Sequence, residues 1–396
     1  MLAERVRFMK DSITLSITAM AASLKQSGHN VIGFGAGEPD FDTPEHIKAA
    51  GILAIQSGKN KYTPANGIME LRKAVCDVFQ KDQGLHYTPS QVAISCGAKH
   101  TIFNILFALI NPGDEVLIPT PYWVSYPDQV ALAGGTPVFV HTTEATQFKM
   151  TPEILKAAIT PKTKLLILNS PSNPTGMVYS ESELKALGDV IEAHSFWVLS
   201  DEIYEKLVYG GHRHISIATL SPGLKEKTIV VNGVSKSYAM TGWRIGYCAG
   251  PEALIKGIGT IQSHSTSNPT SVAQWAALEA LTGPQTEVET MRMAFDKRRT
   301  TMVDFLNQIQ GVSCLSPEGA FYAFPSIEKL FGKTCESGVI LDSVTFCNFL
   351  LKEALVACVP GSGFGQEGYL RLSYATSFES ISEGLLRMKT WIDALT

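Results

Sequence analysis

The chain has 396 residues, of which 45% are hydrophobic and 18% are charged, and its formal net charge is −4. This length predicts about two domains, and the small negative charge argues against nucleic acid or an anionic membrane surface as a partner. The seven cysteines form no C-x-x-C pair, and no apolar run is long enough to cross a bilayer. We therefore expect a cytoplasmic protein with reduced thiols.

Seven short apolar segments between residues 92 and 250 predict β-strands. They read VAIS, EVLIP, PVFVHTT, KLLILNS, FWVLSD, TIVVN and IGYCAG and begin at residues 92, 115, 137, 164, 196, 228 and 245. Most are continuously apolar, as in strands buried on both faces of a parallel sheet, and helical segments separate several of them. This alternation predicts a three-layer α/β domain with a mainly parallel, seven-stranded sheet.

The connection between the last two predicted strands is short. Only about a dozen residues separate Asn232 from Ile245, whereas a parallel crossover needs a dozen or more residues and usually contains a helix. We therefore expect the strand at 245–250 to run antiparallel to its predecessor or to lie at a sheet edge.

The pattern changes after about residue 285. A long charged helix, TEVETMRMAFDKRRTTMVDFLNQIQ, precedes short strands and two further helices, near 342–355 and from about 378. This mixture is typical of an α+β domain, and the first 44 residues, which precede the sheet, are expected to pack with it. The sequence thus predicts a large domain at 45–285 and a smaller α+β domain formed by 1–44 and 286–396.

Chemically useful residues follow five of the predicted strands. The segments are CGAKH, TPYWVSYP, PSNPTG, DEIY and GVSKS, which begin at residues 96, 120, 171, 201 and 233. Ligands of open α/β sheets bind outside the carboxyl ends of the strands. We therefore expect these segments to line one site.

A lysine and an aspartate in these segments indicate a cofactor. Lys236, which follows a buried strand, is suited to forming a Schiff base with an aldehyde. Asp201, at the end of another buried strand, is suited to keeping a pyridine nitrogen protonated. Pyridoxal 5′-phosphate requires this pair. Trp123 is expected to stack on its ring, and Asn173 and Tyr204 to bond its phenolic oxygen.

A helix start and an arginine suit the cofactor's phosphate group. Gly97 and Ala98 open the helical segment AKHTIFNIL, and backbone N–H groups at a helix start bind phosphate. Arg244 is a bidentate partner for the same group.

These segments together resemble a known family. GVSKSYAMTGWRIG (233–246) fits, at every position, the lysine-attachment pattern of the class I pyridoxal phosphate-dependent aminotransferases of fold type I. NSPSNPTG, SDEIY, PYWVSYP, YLRLSYA, GEPDFDTP and KYTPANG are similar to further motifs of that family. The resemblance runs from about residue 30 to 376 and is greatest to the aspartate aminotransferase subgroup common in bacteria. It implies transamination between aspartate or glutamate and a 2-oxo acid such as oxaloacetate or 2-oxoglutarate.

The resemblance implies a role for each matching residue. The catalytic residues are Lys236, which anchors the cofactor and then moves a proton, Asp201 on the pyridine nitrogen, and Tyr204 on the phenolic oxygen. The cofactor-binding residues are Tyr62, Gly97, Ala98, Lys99, Trp123, Asn173, Asp201, Tyr204, Ser235, Lys236 and Arg244. Tyr62 is expected to reach the phosphate of the neighbouring subunit's cofactor, which requires a homodimer.

Substrate binding is likewise implied by the resemblance. Arg371 is expected to bind the α-carboxylate with help from the backbone at Gly37, and Lys99 to bind a distal carboxylate. Ser12 or Thr14, in the segment MKDSITLS, is expected to add a hydrogen bond at that end. The complete predicted substrate-binding set is Gly37, Lys99, Trp123, Asn173 and Arg371.

One position departs from the family pattern. Gly233 stands where many relatives carry a phosphate-binding serine, three residues before the lysine. Ser235 is a candidate substitute for the missing hydroxyl group.

Other functions are weighed against this interpretation. Some members of the subgroup transaminate prephenate or aromatic substrates, and other enzymes of this fold, such as C–S lyases, use the same cofactor. A nicotinamide site lacks its G-x-G-x-x-G fingerprint between a strand and a helix. The pair formed by His212 and His214 has no carboxylate spaced to complete a metal site, so we expect a plain loop there and no metal.

Overall fold

The computed structural model describes residues 13–396. Helices α1 to α13 span Ile13–Gln26, Glu45–Gln56, Met69–Gln83, Ala98–Leu109, Ser125–Leu132, Pro152–Ala158, Glu181–Glu192, Pro222–Lys227, Glu252–Ser263, Ser271–Thr282, Thr286–Leu306, Ser343–Ala354 and Phe378–Asp393. Strands β1 to β14 span Ile32–Gly33, Val92–Ser95, Glu115–Thr120, Thr136–His141, Thr163–Asn169, Trp197–Asp201, Thr228–Gly233, Gly246–Ala249, Tyr322–Ala323, Thr334–Cys335, Gly338–Val339, Val356–Ala357, Val359–Pro360 and Leu370–Ser373.

The central sheet confirms the predicted fold class. Within the described residues its seven strands follow the order β2-β8-β7-β6-β5-β3-β4. All seven lie in the segments predicted from apolar runs. Strand β8 pairs antiparallel with β7 and with β2, whereas β3, β4, β5, β6 and β7 pair in parallel. The short connection before β8 therefore reverses the chain, as expected.

The middle strands are largely apolar because both of their faces are covered. All six residues of β7 are buried, as are the last four of β6. On one face Leu199 and Ile229 join a core with residues of α4 and α9. On the other face Val198 joins a core with residues of α7. Burial on both faces accounts for the lack of polar alternation in these strands.

A further core, called here the second core, is formed mainly by the end of the chain and includes residues from near its beginning. It joins α1 and β1 to α11, α12 and α13. Strand β1 pairs in parallel with β12, with Ile32 opposite Val356. Strands β13, β14 and β9 form a separate antiparallel sheet. Helix α1 and strand β1 thus pack with elements that follow α10.

Local sequence signals set the starts of several helices. Ser180 accepts a hydrogen bond from the Glu183 backbone N–H at the start of α7, and the Glu183 carboxylate accepts one from the Ser180 backbone N–H. Asp342 caps α12 by accepting from the Thr345 backbone N–H. These caps satisfy N–H groups that the first helical turn leaves free. None of the helices in residues 13–396 is both long and apolar enough to cross a membrane.

Phe295 on α11 tests the second core. Its ring is fully buried and packs edge-on against Phe41 and at a tilt against Phe321. We expect Phe295→Ala to lower the free energy of unfolding by about 3 to 5 kcal/mol because it leaves a cavity. The control is Met293→Ala on the same helix, where the side chain is 53% exposed; its effect should stay within about 0.5 kcal/mol. Equal effects in chemical denaturation would contradict the packing described.

Candidate active site

A cavity of about 760 Å³ opens at the carboxyl ends of the central strands. Strand β6 ends at Asp201, β5 ends at Asn169, and the loop after β7 carries Lys236. The residues from the sequence prediction that line the cavity are Gly37, Ala98, Lys99, Trp123, Asn173, Asp201, Tyr204, Ser235, Lys236, Arg244 and Arg371. The sheet therefore brings residues from distant parts of the chain to one edge.

Asp201 is a buried carboxylate in the wall of this cavity. Its Oδ2 accepts a hydrogen bond of 2.6 Å from the Tyr126 hydroxyl, and its Oδ1 accepts one of 3.3 Å from the Ile203 backbone N–H. Burial raises the pKa of Asp201 to about 6, although both hydrogen bonds act to lower it. An ionised carboxylate held in this way can keep a proton on a ligand nitrogen.

Lys236 projects into the same cavity. Its Nζ donates a hydrogen bond to the carbonyl oxygen of Gly37 and lies 6.0 Å from the centre of the Tyr204 ring. Burial lowers the pKa of Lys236 to about 8, and the positive charges of Arg371 and Arg244 act in the same direction. A neutral amine is therefore accessible near physiological pH, as a nucleophile or a base requires.

The Arg244 guanidinium lies against the start of α4. The left-handed backbone of Arg244, with φ of 58°, turns the side chain back, and its Nη1 donates to the Thr241 carbonyl oxygen. A Cβ on Gly97 would lie 2.4 Å from Arg244 Nη2, and one on Gly246 would lie 2.2 Å from the Ala98 nitrogen. Glycine at both positions lets the cation, the helix start and β8 approach one another closely.

Gly233 has little room for a side chain. A Cβ there would lie 3.0 Å from the Ile245 carbonyl oxygen and 3.1 Å from the Gly246 Cα. A serine at this position would require the backbone at Ile245 and Gly246 to move by a few tenths of an ångström. Ser235 is buried and lines the cavity. Gly233 therefore departs from the family pattern at a position where the surrounding backbone is tightly packed.

Arg371 lies on the opposite wall and comes from β14. Its Nη1 donates to Asn173 Oδ1 at 3.1 Å, and its Nη2 donates to the Gly35 carbonyl oxygen at 3.0 Å. The guanidinium stacks over the Tyr322 ring with a centroid distance of 4.5 Å. Its buried Nε finds no hydrogen-bond partner within residues 13–396. Arg371 is thus held in place by its neighbours, and it brings a positive charge to the cavity wall.

Lys99 and Trp123 form another part of the cavity wall. Lys99 Nζ lies 5.0 Å from the centre of the Trp123 ring. Burial and the nearby charge of Arg244 lower the pKa of Lys99. The Trp123 ring also packs edge-on against Tyr126, which fixes its orientation.

Two predicted contact residues do not line the cavity, and the structure does not test two others. Gly97 does not line the cavity but packs directly behind Arg244. Tyr62 is 92% exposed on the loop between α2 and α3 and does not line the cavity. Ser12 lies outside the described residues, and the side chain of Thr14 is not described either.

Three residues of the site were not predicted from the sequence. Tyr126 belongs to PYWVSYP, where only Trp123 had been assigned a role, and Asn169 precedes the predicted Asn173. Asn169 Nδ2 donates to the Asp201 carbonyl oxygen, and its Oδ1 accepts from the Asn173 backbone N–H. The Tyr322 hydroxyl lies 2.9 Å from that of Tyr204. Tyr126 and Asn169 lay inside recognised motifs, whereas Tyr322 carried no signal.

The raised pKa of Asp201 predicts a pH dependence of stability. The unfolded carboxyl ionises near its ordinary value of 3.8, but the folded one ionises near 6. The contribution of Asp201 to the stability of the native apoprotein should therefore fall as the pH rises from about 4 to 6 and stay level above that range. We expect the free energy of unfolding of Asp201→Asn apoprotein, relative to wild type, to rise by about 3 kcal/mol across this window. A difference independent of pH in chemical denaturation would contradict this.

Comparison with known proteins assigns the family. The family model described as "Aminotransferase class I and II" matches residues 29–387. An aspartate aminotransferase from Geobacillus stearothermophilus is 53% identical over 99% of both chains. An aspartate/prephenate aminotransferase from Cereibacter sphaeroides is 51% identical over 100% of this chain and 99% of its own.

Solved structures agree with these matches. The crystal structure of the aspartate aminotransferase from Rhizobium meliloti has a TM-score of 0.97 and 46% identity, with 100% of both chains covered. The aspartate aminotransferase from Thermus thermophilus with maleate has a TM-score of 0.92 and 42% identity over 98% of this chain and 99% of its own. The chain therefore belongs to the class I and II aminotransferases, within the bacterial aspartate aminotransferase subgroup.

Proposed function

We propose that this aminotransferase moves an amino group between aspartate or glutamate and a 2-oxo acid, with pyridoxal 5′-phosphate attached at Lys236. The observation that carries the proposal is the convergence of Lys236, Asp201 and Arg371 on one cavity. A lysine, a buried carboxylate and a second cation are what cofactor attachment, ring protonation and carboxylate binding require.

The phosphate end of the cofactor fits one corner of the cavity. Helix α4 starts at Ala98, and its first backbone N–H groups and positive dipole end favour an anion. Arg244 packs against this helix start, where Gly97 and Gly246 leave no side chain in its way. Ser235 lines the same cavity. Its hydroxyl group replaces that of the serine which many relatives carry at the position of Gly233.

Four residues of the cavity suit the ring of the cofactor. Asp201 would hold the pyridine nitrogen protonated, Trp123 would offer an aromatic face for stacking, and Asn173 and Tyr204 would bond the phenolic oxygen. The hydrogen bonds from Tyr126 and the Ile203 backbone keep Asp201 ionised at neutral pH in spite of its burial.

The residues of the chain orient the reactants and move the proton. Bound pyridoxal phosphate supplies a ring that stabilises negative charge at the substrate α-carbon. Lys236 Nζ would hold the cofactor. As a free amine, its lowered pKa of about 8 suits it to accept a proton and return it near neutral pH.

Two cations read the substrate carboxylates. Arg371 binds the α-carboxylate with its guanidinium group, helped by the backbone at Gly37. Lys99, beside Trp123, binds the distal carboxylate of aspartate or glutamate. The relative from Thermus thermophilus was solved with maleate, a dicarboxylate, which supports a site for two carboxylates.

Prephenate is the alternative substrate. The Cereibacter sphaeroides relative is named an aspartate/prephenate aminotransferase, and Ile17, Ala21 and Val124 give this cavity an apolar portion beyond the charged residues. A C–S lyase would not need Lys99 and Arg371 together, so that activity ranks below both transaminations.

We also propose a homodimer with shared active sites. Large apolar side chains are exposed around the loop that carries Tyr62, namely Ile52, Leu53, Ile55, Tyr62 and Met69. Buried side chains hold this loop in place: Gln262 donates to the Ala65 carbonyl oxygen, and Gln274 to the Thr63 hydroxyl. A rigid loop with an exposed apolar surround supports a role for Tyr62 in the partner's cofactor site.

The proposed domain division separates the central sheet and the cores on its two faces from the second core. Residues 45–285 form the large domain, and residues 1–44 with 286–396 form the small domain that closes over the cavity. The core shared by α1, β1 and the elements after α10 supports this division. The seven cysteines are free, which supports the expectation of a reducing, cytoplasmic location.

A substrate panel tests the proposed reaction. Amino donors are assayed against 2-oxoglutarate, oxaloacetate and prephenate, and we expect the highest kcat/KM for aspartate or glutamate. Lys236→Ala should reduce kcat at least about 100-fold because the amine that moves the proton is lost. Lys185→Ala, an exposed lysine on α7, is the control and should match wild type. Preference for a donor with one carboxylate, or elimination of its side chain, would contradict the proposal.

Lys99→Gln tests the distal carboxylate site. The substitution keeps a hydrogen-bonding group but removes the charge. We expect kcat/KM to fall about 10- to 100-fold for aspartate, as for a lost charged hydrogen bond, and to change little for alanine. An equal loss for both donors would show that Lys99 acts on the cofactor rather than on the substrate side chain.

A further inference from the structure

A group of buried polar side chains lies beside Asp201 but outside the cavity. We call it the Glu202 cluster, and its members are Gln83, Ser200, Glu202, Glu205, His214 and Ser216. Glu202 follows Asp201 in the chain and its side chain is 1% exposed, and that of His214 is 6% exposed. The proposed reaction uses none of these residues.

The Glu202 carboxylate is fully hydrogen-bonded. Its Oε1 accepts from the hydroxyl groups of Ser200 at 2.7 Å and Ser216 at 2.6 Å. Its Oε2 accepts from Gln83 Nε2 at 3.0 Å and from His214 Nε2 at 2.8 Å. These four donors match the four lone pairs of the carboxylate. None of them is a second carboxyl group that could share a proton with Glu202. Glu202 is therefore ionised, and His214 donates to it.

These contacts also decide between a metal site and an ion pair. Glu202, Glu205 and His214 offer ligand atoms within 4.8 Å of one another. However, Glu205 accepts from the same Gln83 amide at 2.5 Å, and both oxygens of Glu202 already have protein donors. The arrangement favours a direct Glu202–His214 contact over a cation site; His214 Nδ1 is buried without a hydrogen-bond partner among residues 13–396. The sequence had indicated no carboxylate near this histidine, whereas the fold supplies two.

Asp201 and Glu202 point to opposite sides of one strand end. Ser200 and Glu202 share a face, because the serine hydroxyl bonds the Glu202 carboxylate, and Asp201 faces the cavity. Side chains alternate in this way along a strand. Two buried carboxylates on adjacent residues repel each other, and each makes it harder for the other to stay ionised.

We infer that His214 is a positioning residue for the aminotransferase site: as a cation it balances the charge of Glu202, so that Asp201 keeps its own negative charge for the cofactor. The inference rests on the proposed role of Asp201 on the pyridine nitrogen. His214 touches neither the cavity nor the reacting atoms and acts through Glu202.

The electrostatic surroundings support this role. Burial acts to lower the pKa of His214, but the charges of Glu202 and Glu205 raise it above its ordinary value. The charge of Glu202 adds to the effect of burial in raising the pKa of Asp201. The other titratable and charged groups that face the cluster are Asp82, Tyr87, Lys206, Tyr238 and Tyr247. Lys206 pairs with Asp82 at 2.5 Å and also acts on Glu205, whereas His214 is the group that contacts Glu202.

The test removes the His214 charge and then the charge it balances. His214→Gln keeps a donor for Glu202 but loses the cation. We expect pyridoxal phosphate affinity at pH 5 to fall about 10-fold and the acid limb of kcat/KM to move up by about one pH unit. Adding Glu202→Gln should return the affinity to within about threefold of wild type and the acid limb to within about half a pH unit, because the unbalanced charge is gone. The control, His212→Gln, alters an exposed histidine two residues away and should change neither.

The outcomes separate this inference from the proposed function. A His214→Gln protein with the wild-type acid limb, or a double variant that is worse than the single one, would overturn the inference. If wild type itself fails to bind pyridoxal phosphate, the proposed function is wrong. Imidazole nitrogen NMR of the wild-type holoenzyme gives a second readout that needs no stable variant. We expect His214 to be doubly protonated at pH 7, and a neutral ring there would also overturn the inference.

Discussion

The site depends on one electrostatic constraint, the buried negative charge of Asp201 at the end of β6. A carboxylate in this position is costly to ionise, and burial raises its pKa to about 6. The hydrogen bonds from Tyr126 and the Ile203 backbone, together with Lys236 across the cavity, offset that cost. The charge of the neighbouring Glu202 acts in the opposite direction and raises the pKa of Asp201. The buried contact of Glu202 with His214 therefore affects the active site.

The fold supplies this arrangement through the ends of its strands. Parallel strands β5, β6 and β7 end at the same edge, so Asn169, Asp201 and the loop to Lys236 meet there. The reversal into β8 then returns Arg244 to the start of α4, where glycines allow close contact. Arg371 reaches the cavity from a different sheet, on β14. The site therefore requires the central sheet and the second core to be in place together.

Much of this could be predicted because apolar runs mark buried strands and ligands lie at strand ends. The seven central strands, the antiparallel β8 and the group around Lys236 follow from those two rules. The strand order, the Tyr322 hydroxyl beside Tyr204 and the burial of His214 against Glu202 could not be predicted. They depend on which distant segments pack together, and neither periodicity nor a local motif encodes side-chain pairing across loops.

Attachment of the cofactor at Lys236 is the central claim, and chemical trapping tests it most directly. The purified protein is incubated with pyridoxal phosphate, reduced with borohydride, digested and mapped by mass spectrometry. The account predicts loss of the visible absorption band and a single pyridoxyl-lysine in the peptide that contains Lys236. A modified lysine elsewhere, or none at all, would contradict it.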